Sequence, residues 1–212
     1  MKGVCGLMKF EGFSQQDFNV FTIPGLDGRM KEIQERIQPK FQQIGEVLVD
    51  DVQMMSGSEM YLHIAKHARR TVNPPKDTWL AIAANKRGYK QHPHFQIGLF
   101  DDRVFIWLAY IYEVPGKEQI ANSFLKNKKD LQRIIPDDYV ISQDHYKKEA
   151  DKFSELDLEN VLQRFRDVKK AELLIGRHLF PEDPILTDGE RFVEFARETF
   201  ETLMPIYQLS FK

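Results

Sequence analysis

At 212 residues, with 42% hydrophobic and 29% charged side chains, the chain has the size and balance of one globular domain and can bury a core without staples. Its net charge of −2 argues against a general nucleic-acid or membrane-surface binder. Its one cysteine, Cys5, excludes an internal disulfide and a zinc site built on several cysteines, which suits a reducing compartment.

The N-terminus lacks the continuous apolar core of a signal peptide, and no run approaches the length of a membrane span. A cytoplasmic location is expected. Residues 1–13 read as loosely attached, and Cys5 has no base beside it that would make it a nucleophile.

After Pro24-Gly25-Leu26, with Asp27 as expected N-cap, Met30, Ile33, Ile37, Phe41, Ile44, Leu48, Val52 and Met55 recur at three- and four-residue steps. They predict one long amphipathic helix, bent or split at Pro39 and closed at Ser56-Gly57. The period then changes. Met60, Leu62 and Ile64 alternate like a half-buried strand, and Trp79–Ala83, Phe95–Phe100 and Val104–Tyr112 predict three more. Asp101-Asp102 reads as a short hairpin connection. The last of these strands is apolar on both faces, so it belongs at the centre of the sheet. Helices are then expected over both faces, or over one with loops on the other.

Pro115-Gly116 ends the sheet run. Ile120, Phe124, Leu125, Leu131 and Ile134 predict one or two short helices, and Ser154 with Asp157 a capped start to another. Leu173–Ile175 predicts a further strand. Thr187 with Glu190 reads as a capping box opening a C-terminal helix that Pro205 disturbs near its end. Helices and strands segregate instead of alternating. The fold class expected is therefore α+β: one domain over 1–212, with a mixed or antiparallel sheet of about five strands flanked by N-terminal and C-terminal helices.

The near-neutral charge conceals a segregation. Lys66 to His94 carries seven Lys and Arg against the single acid Asp77, a net +6, which leaves the remainder at −8. His67, Arg69, Arg70, Asn73, Lys86, Arg87, Lys90, His92 and His94 are the candidate ligand-binding residues. Guanidinium and ammonium groups on loops at a sheet rim recognise carboxylates and phosphates, and imidazoles share that work or move protons near neutral pH. A solvated surface of unrelated charges is the plainer reading, weakened by the mixture of Arg, His, Asn and aromatics within one stretch. His92-Pro93-His94 invites a metal reading, since alternate residues of a strand share a face. A third ligand would have to come from His63, His67, His145, His178 or a carboxylate, and no spacing singles one out, so no metal is assigned. His63 reads as a structural, hydrogen-bonded residue. Walker, dinucleotide, nucleophile-elbow and HExxH motifs are absent. Pro24 to Arg29, with two glycines before a helix, could present amide groups to an anion, but such a segment is more often only a turn with a cap.

The stretches FTIPGLDGRM (Phe21 to Met30), AKHARRTVNPPKDTW (Ala65 to Trp79), NKRGYKQHPHFQIGLF (Asn85 to Phe100) and KKAELLIGR (Lys169 to Arg177) carry a resemblance to the YktB-like proteins of Bacillus and its relatives, a family of unknown function. It implies a bacterial protein from a low-GC Gram-positive organism and brings no activity or catalytic residue. From the residues themselves the reading is a domain that binds a small anionic ligand, a nucleotide or phosphorylated metabolite, in a basic pocket. The alternatives are an enzyme using His67, His92 or His94 as general acid or base on a phosphorylated substrate, and a nucleic-acid-binding regulator stacking bases on Trp79, Tyr89 and Phe95. The sequence names no cofactor and no oligomeric state.

Overall fold

A computed structural model describes residues 10–212. Cys5 lies outside them, as does most of the segment expected to be loose. Where that segment is described, Phe10 and Phe13 are buried against Phe192, and the Phe13 N–H donates to the Leu186 carbonyl at 2.6 Å.

The chain is α+β, but the sheet has seven strands, not about five, and every pairing is antiparallel. The strands are β1 Tyr61–Ile64, β2 Thr78–Ala83, β3 His94–Leu99, β4 Val104–Tyr110, β5 Val140–Ser142, β6 Asp151–Lys152 and β7 Leu173–Leu179, in the spatial order β1-β2-β3-β4-β7-β5-β6. The two unexpected strands, β5 and β6, hold three and two residues, too few for an alternation to register. The Asp101-Asp102 connection joins β3 to β4 as a hairpin, with the Phe100 N–H donating to the Arg103 carbonyl at 2.9 Å.

One face of the sheet carries the helices. Leu80, Ile82, Phe95, Ile97, Val104, Ile106, Leu108 and Ile175 alternate onto it and merge with Ile33, Phe41, Ile44 and Leu48 and with Phe192, Phe200 and Leu203 in one core. After a short α1 (Gln15–Asn19), the first of these helical sets lies on α2 (Leu26–Glu32), a π-helical turn (Ile33–Ile37) and α3 (Gln38–Ser56), which run on as the single long helix expected. The backbone accommodates Pro39 by widening the preceding turn. Gly57, left-handed at φ 69°, closes α3, while the N-cap is Gly25, not Asp27. The second set lies on α7 (Gly189–Leu209), which contains Pro205. Between them come α4 (Lys117–Lys126), α5 (Lys128–Ile134) and α6 (Leu158–Asp167). Two expected caps move by a residue or more. Asp157 alone caps α6, accepting from the Glu159 and Asn160 N–H groups, and Asp188, not Thr187, caps α7 by accepting from Arg191. A carboxylate suits either position because it also meets the positive end of the helix dipole.

Among the described residues, the other face of the sheet carries no helix. Phe100, Phe105, Trp107, Ala109 and Leu174 form a second, smaller apolar cluster there, with Trp79, Val140 and Ala150 against it. Loops cover this face, which settles the alternative left open by the apolar β4. Gly176 permits the close approach of β7 to β4, since a Cβ at that position would run into the Ile106 carbonyl oxygen.

Candidate functional site

Three loops meet over the helix-free face: the β1–β2 connection (65–77), the β2–β3 connection (84–93) and the segment after β5 (143–150). Each is pinned to a strand.

The first is held by His67, whose Nε2 lies 3.0 Å from Thr78 Oγ1 and whose ring stands edge-on to Trp79. His67 takes a positive φ of 50°, unusual for a residue with a Cβ, so its hydrogen bond holds a strained turn. Arg29 anchors the same loop from α2, donating from Nη1 to the Pro75 carbonyl at 2.8 Å and from Nε and Nη2 to the Ile23 carbonyl. The second loop is held by Tyr89. Its hydroxyl accepts from Trp79 Nε1 at 2.8 Å, and its ring packs against His63 and His94. Burial pushes the Tyr89 phenol up to about 12. His63 Nε2 donates to the Asn85 carbonyl at 2.8 Å, the structural role expected of it.

The third loop is strapped at both ends. Lys148 pairs with Asp101 in the hairpin, and Arg103 Nη1 donates to the Lys148 carbonyl at 3.0 Å. At the other end Glu172, at the entrance to β7 and 2% exposed, accepts from the His145 backbone N–H at 2.8 Å, from the Tyr112 N–H at 3.3 Å and from His145 Nδ1 at 2.7 to 2.8 Å. Tyr146 lies over the His145 ring at 3.9 Å between centroids and is itself 61% exposed. Asp77, at the end of the first loop, is 6% exposed. Burial raises its carboxyl to about 6, against the lowering influence of His145 and Arg70.

The nine sequence-predicted residues divide accordingly. Arg87, Lys90 and His92 come together with Asn85, Gly88, Tyr89, Gln91 and Glu113 around an open cavity of about 430 Å³. Lys90 sits 3.9 Å from Glu113, the acid of that wall. Lys86 is exposed beside it and is not part of the lining. Arg69, Arg70 and Asn73 belong to the first loop; Arg69 and Asn73 are exposed, and the half-buried Arg70 has its Nη1 3.5 Å from the Asn73 carbonyl. His94 is fully buried. Its Nδ1 meets the His92 carbonyl at 2.7 Å and its Nε2 the Gln96 amide at 2.8 Å. Both nitrogens being taken, His94 is neutral, and burial lowers it to about 4. His67 is lowered to about 4 for the same reason. The basic segment is therefore not one pocket, and two of its three histidines face inward.

Sequence reasoning missed Asp77 as a site residue and missed the His145–Glu172 pair. The available signal was Glu172 itself, a carboxylate opening the apolar run Leu173–Ile175, which a buried position obliges to find partners. Asp144, His145 and Glu172 offer donor atoms within 4.8 Å of one another. The 2.7 Å separation of Nδ1 and carboxylate is, however, a hydrogen bond, and both Glu172 oxygens already accept N–H groups, so the arrangement is read as a hydrogen-bonded pair and not as a metal centre.

Among the described residues no helix is long and apolar enough to cross a membrane. A family model described as "Domain of unknown function (DUF1054)" matches residues 13–207. A UPF0637 protein of Shouchella clausii is 58% identical over 203 residues, 96% of each chain. One of Oceanobacillus iheyensis is 58% identical over 199 residues, covering 94% of this chain and 96% of its own. One of Listeria monocytogenes is 50% identical over 203 residues, 96% of this chain and 99% of its own.

Proposed function

Since the chain belongs to the DUF1054 family of uncharacterised proteins, in keeping with its resemblance to proteins of Bacillus and its relatives, and that kinship carries no activity, we propose from geometry that it binds a small anionic ligand in the cavity of the β2–β3 loop. The observation that carries this is the convergence of Arg87, Lys90 and His92 on one cavity of about 430 Å³, within the range of roughly 300–1,000 Å³ typical of small-molecule sites. Arg87 is suited to grip a carboxylate or phosphate with two parallel N–H donors, Lys90 adds a mobile charge, and Glu113 restrains Lys90 until an anion competes for it. Gly88 leaves one wall without a side chain, so backbone N–H groups can approach the ligand. Tyr89 lines the same cavity, held in place by Trp79, His63 and His94. A nucleotide or phosphorylated metabolite fits this chemistry.

Calorimetric titration with inorganic phosphate and with AMP tests it. Both should bind more weakly as salt rises, and the double variant Arg87→Ala, Lys90→Ala should weaken binding by about tenfold, a loss of about 1.4 kcal/mol. Absence of binding by the wild-type chain at low salt, or an unchanged affinity in the double variant, would overturn the reading.

A further inference from the structure

The cavity of Arg87, Lys90 and His92 has a neighbour. Gln91 and His92 also line a second open cavity of about 460 Å³, and Glu113 of the first is followed in the chain by Val114 of the second. The two hollows therefore share one wall, made by the end of the β2–β3 loop and the segment that runs from β4 to α4. Gln91 is exposed and His92 half-buried, so the divide lies at the surface and a ligand can cross it without entering the core. The linings differ in kind. The first holds the cations Arg87 and Lys90. The second is built on the buried Pro93, Val114 and Ile120, with the ring of Phe211, 63% exposed, beside them. That ring meets Tyr207 at 5.0 Å between centroids and 70° between planes, a contact that steadies it while leaving ring surface free. The Ser123 and Ser210 hydroxyls of the same lining are engaged, donating to the Leu209 carbonyl at 3.3 Å and the Tyr207 carbonyl at 2.6 Å. The polar groups turned to solvent are the amides of Gln91 and Gln119, each with a donor and an acceptor side by side.

We propose that the two cavities form one bipartite site for a purine nucleoside monophosphate, with the phosphate between Arg87 and Lys90, the sugar across His92 and the base against Phe211 in the second cavity. This rests on the anion-pocket reading and adds to it the group that the anion carries. Each cavity alone lies in the lower half of the range of roughly 300–1,000 Å³ for small-molecule sites, and a ligand that spans both uses its upper part. A bare phosphate or a sugar phosphate has nothing to set on an apolar floor and an aromatic ring. A purine offers a π-face to Phe211, since stacking on an aromatic side chain is open to any base. Its edge also carries a neighbouring donor and acceptor, the pair that one primary amide matches with two hydrogen bonds. An alkyl chain would suit the floor but make no use of the two amides. The division of charge sets the orientation, because the cations Arg87 and Lys90 stand on the far side of His92 from Phe211.

Calorimetric titration of the full chain with inorganic phosphate, ribose 5-phosphate, phenyl phosphate and AMP separates the two halves. AMP should bind about tenfold or more tightly than ribose 5-phosphate, the scale of one base stacked on an aromatic side chain. Phenyl phosphate, which has a ring but no hydrogen-bonding edge, should fall between them. Phe211→Ala should bring AMP within about threefold of ribose 5-phosphate, and Gln119→Ala should bring AMP toward phenyl phosphate. Both side chains are exposed, so neither substitution threatens the fold. Phe180→Ala removes another exposed ring, one outside both linings, and should keep the preference for AMP. Equal binding of AMP and ribose 5-phosphate, or a preference for AMP that survives Phe211→Ala, overturns the proposal and leaves the anion pocket standing. Phenyl phosphate bound as tightly as AMP also overturns it, since the amides then read nothing. Failure of inorganic phosphate and ribose 5-phosphate to bind at low salt overturns the pocket reading itself, and this proposal with it.

Discussion

Glu172 grips His145 twice, once by the backbone N–H at 2.8 Å and once by the ring Nδ1 at 2.7 Å, and so fixes both the path of the 143–150 loop and the orientation of its imidazole. A carboxylate this deeply buried is stable only because N–H groups from two elements satisfy it. Glu172→Ala should therefore lower stability by about 2–4 kcal/mol, the range for breaking a buried charged network. Amide exchange should quicken across 143–150 while β3 and β4 stay protected. Equal exchange in that loop before and after the substitution would show that Glu172 is not its anchor.

The pH dependence of folding has two opposing parts. His67, His94 and His178 are each lowered to about 4, first by burial, so the fold favours their neutral forms. Their contribution is complete above about 6.5 and is lost as pH falls toward 4, with His94 worth up to about 3 kcal/mol. Asp77 has the reverse sign. Its carboxyl is raised to about 6, so its contribution is complete below about 4 and is lost as pH rises through 6. Three histidines outweigh one aspartate, and urea midpoints should fall on acidification from pH 7 to pH 4. Asp77→Asn should raise the midpoint at pH 7.5 and leave it nearly unchanged at pH 4. An identical shift at both values would contradict a carboxyl raised by burial.

Tyr89 supplies the acceptor for Trp79 Nε1. Tyr89→Phe keeps the ring contacts with His63 and His94 but leaves that indole N–H without its partner, at a cost of about 1–3 kcal/mol. Urea denaturation should show the loss.

Gly176→Ala places a methyl group against the Ile106 carbonyl in the middle of the sheet. The strands must separate or slip, and the variant should lose about 3 kcal/mol or more. Gly88→Ala is the control, because a Cβ there meets nothing within 4 Å, and stability should change by less than about 0.5 kcal/mol.

The large features were legible in the sequence because each rests on a period. The stripe from Met30 to Met55 extends over many turns, and β2, β3 and β4 are long enough to show apolar runs. β5 and β6 are made by pairing more than by pattern: β5 lies against β7, and that partner is distant in the chain. The charge excess at 66–94 falls on two loops of the sheet, but composition has no direction. It could not tell that His67 and His94 turn inward, that Lys66 lies beside Gln38 and Leu62 near the other side of the sheet edge, or that Arg70 is not part of the lining of the cavity of Arg87. His145 and Glu172 stand on separate elements with no local motif, and only the folding of β7 between β4 and β5 brings them together.

That insertion of β7 has a consequence for how the molecule is made. β4 ends at Tyr110, but its second neighbour begins at Leu173, so one flank of the most apolar strand has no partner until the stretch 111–172 has been synthesised. The long helix that starts at Leu26 waits longer still, since α7, which packs against it, follows every strand in the chain. A nascent chain carrying β1 to β4 presents an unpaired apolar edge and a half-covered face, the species that chaperones retain and that aggregates when they do not. Translational pauses or truncations between Ile111 and Glu172 should therefore harm yield far more than changes of equal size near the start of the chain.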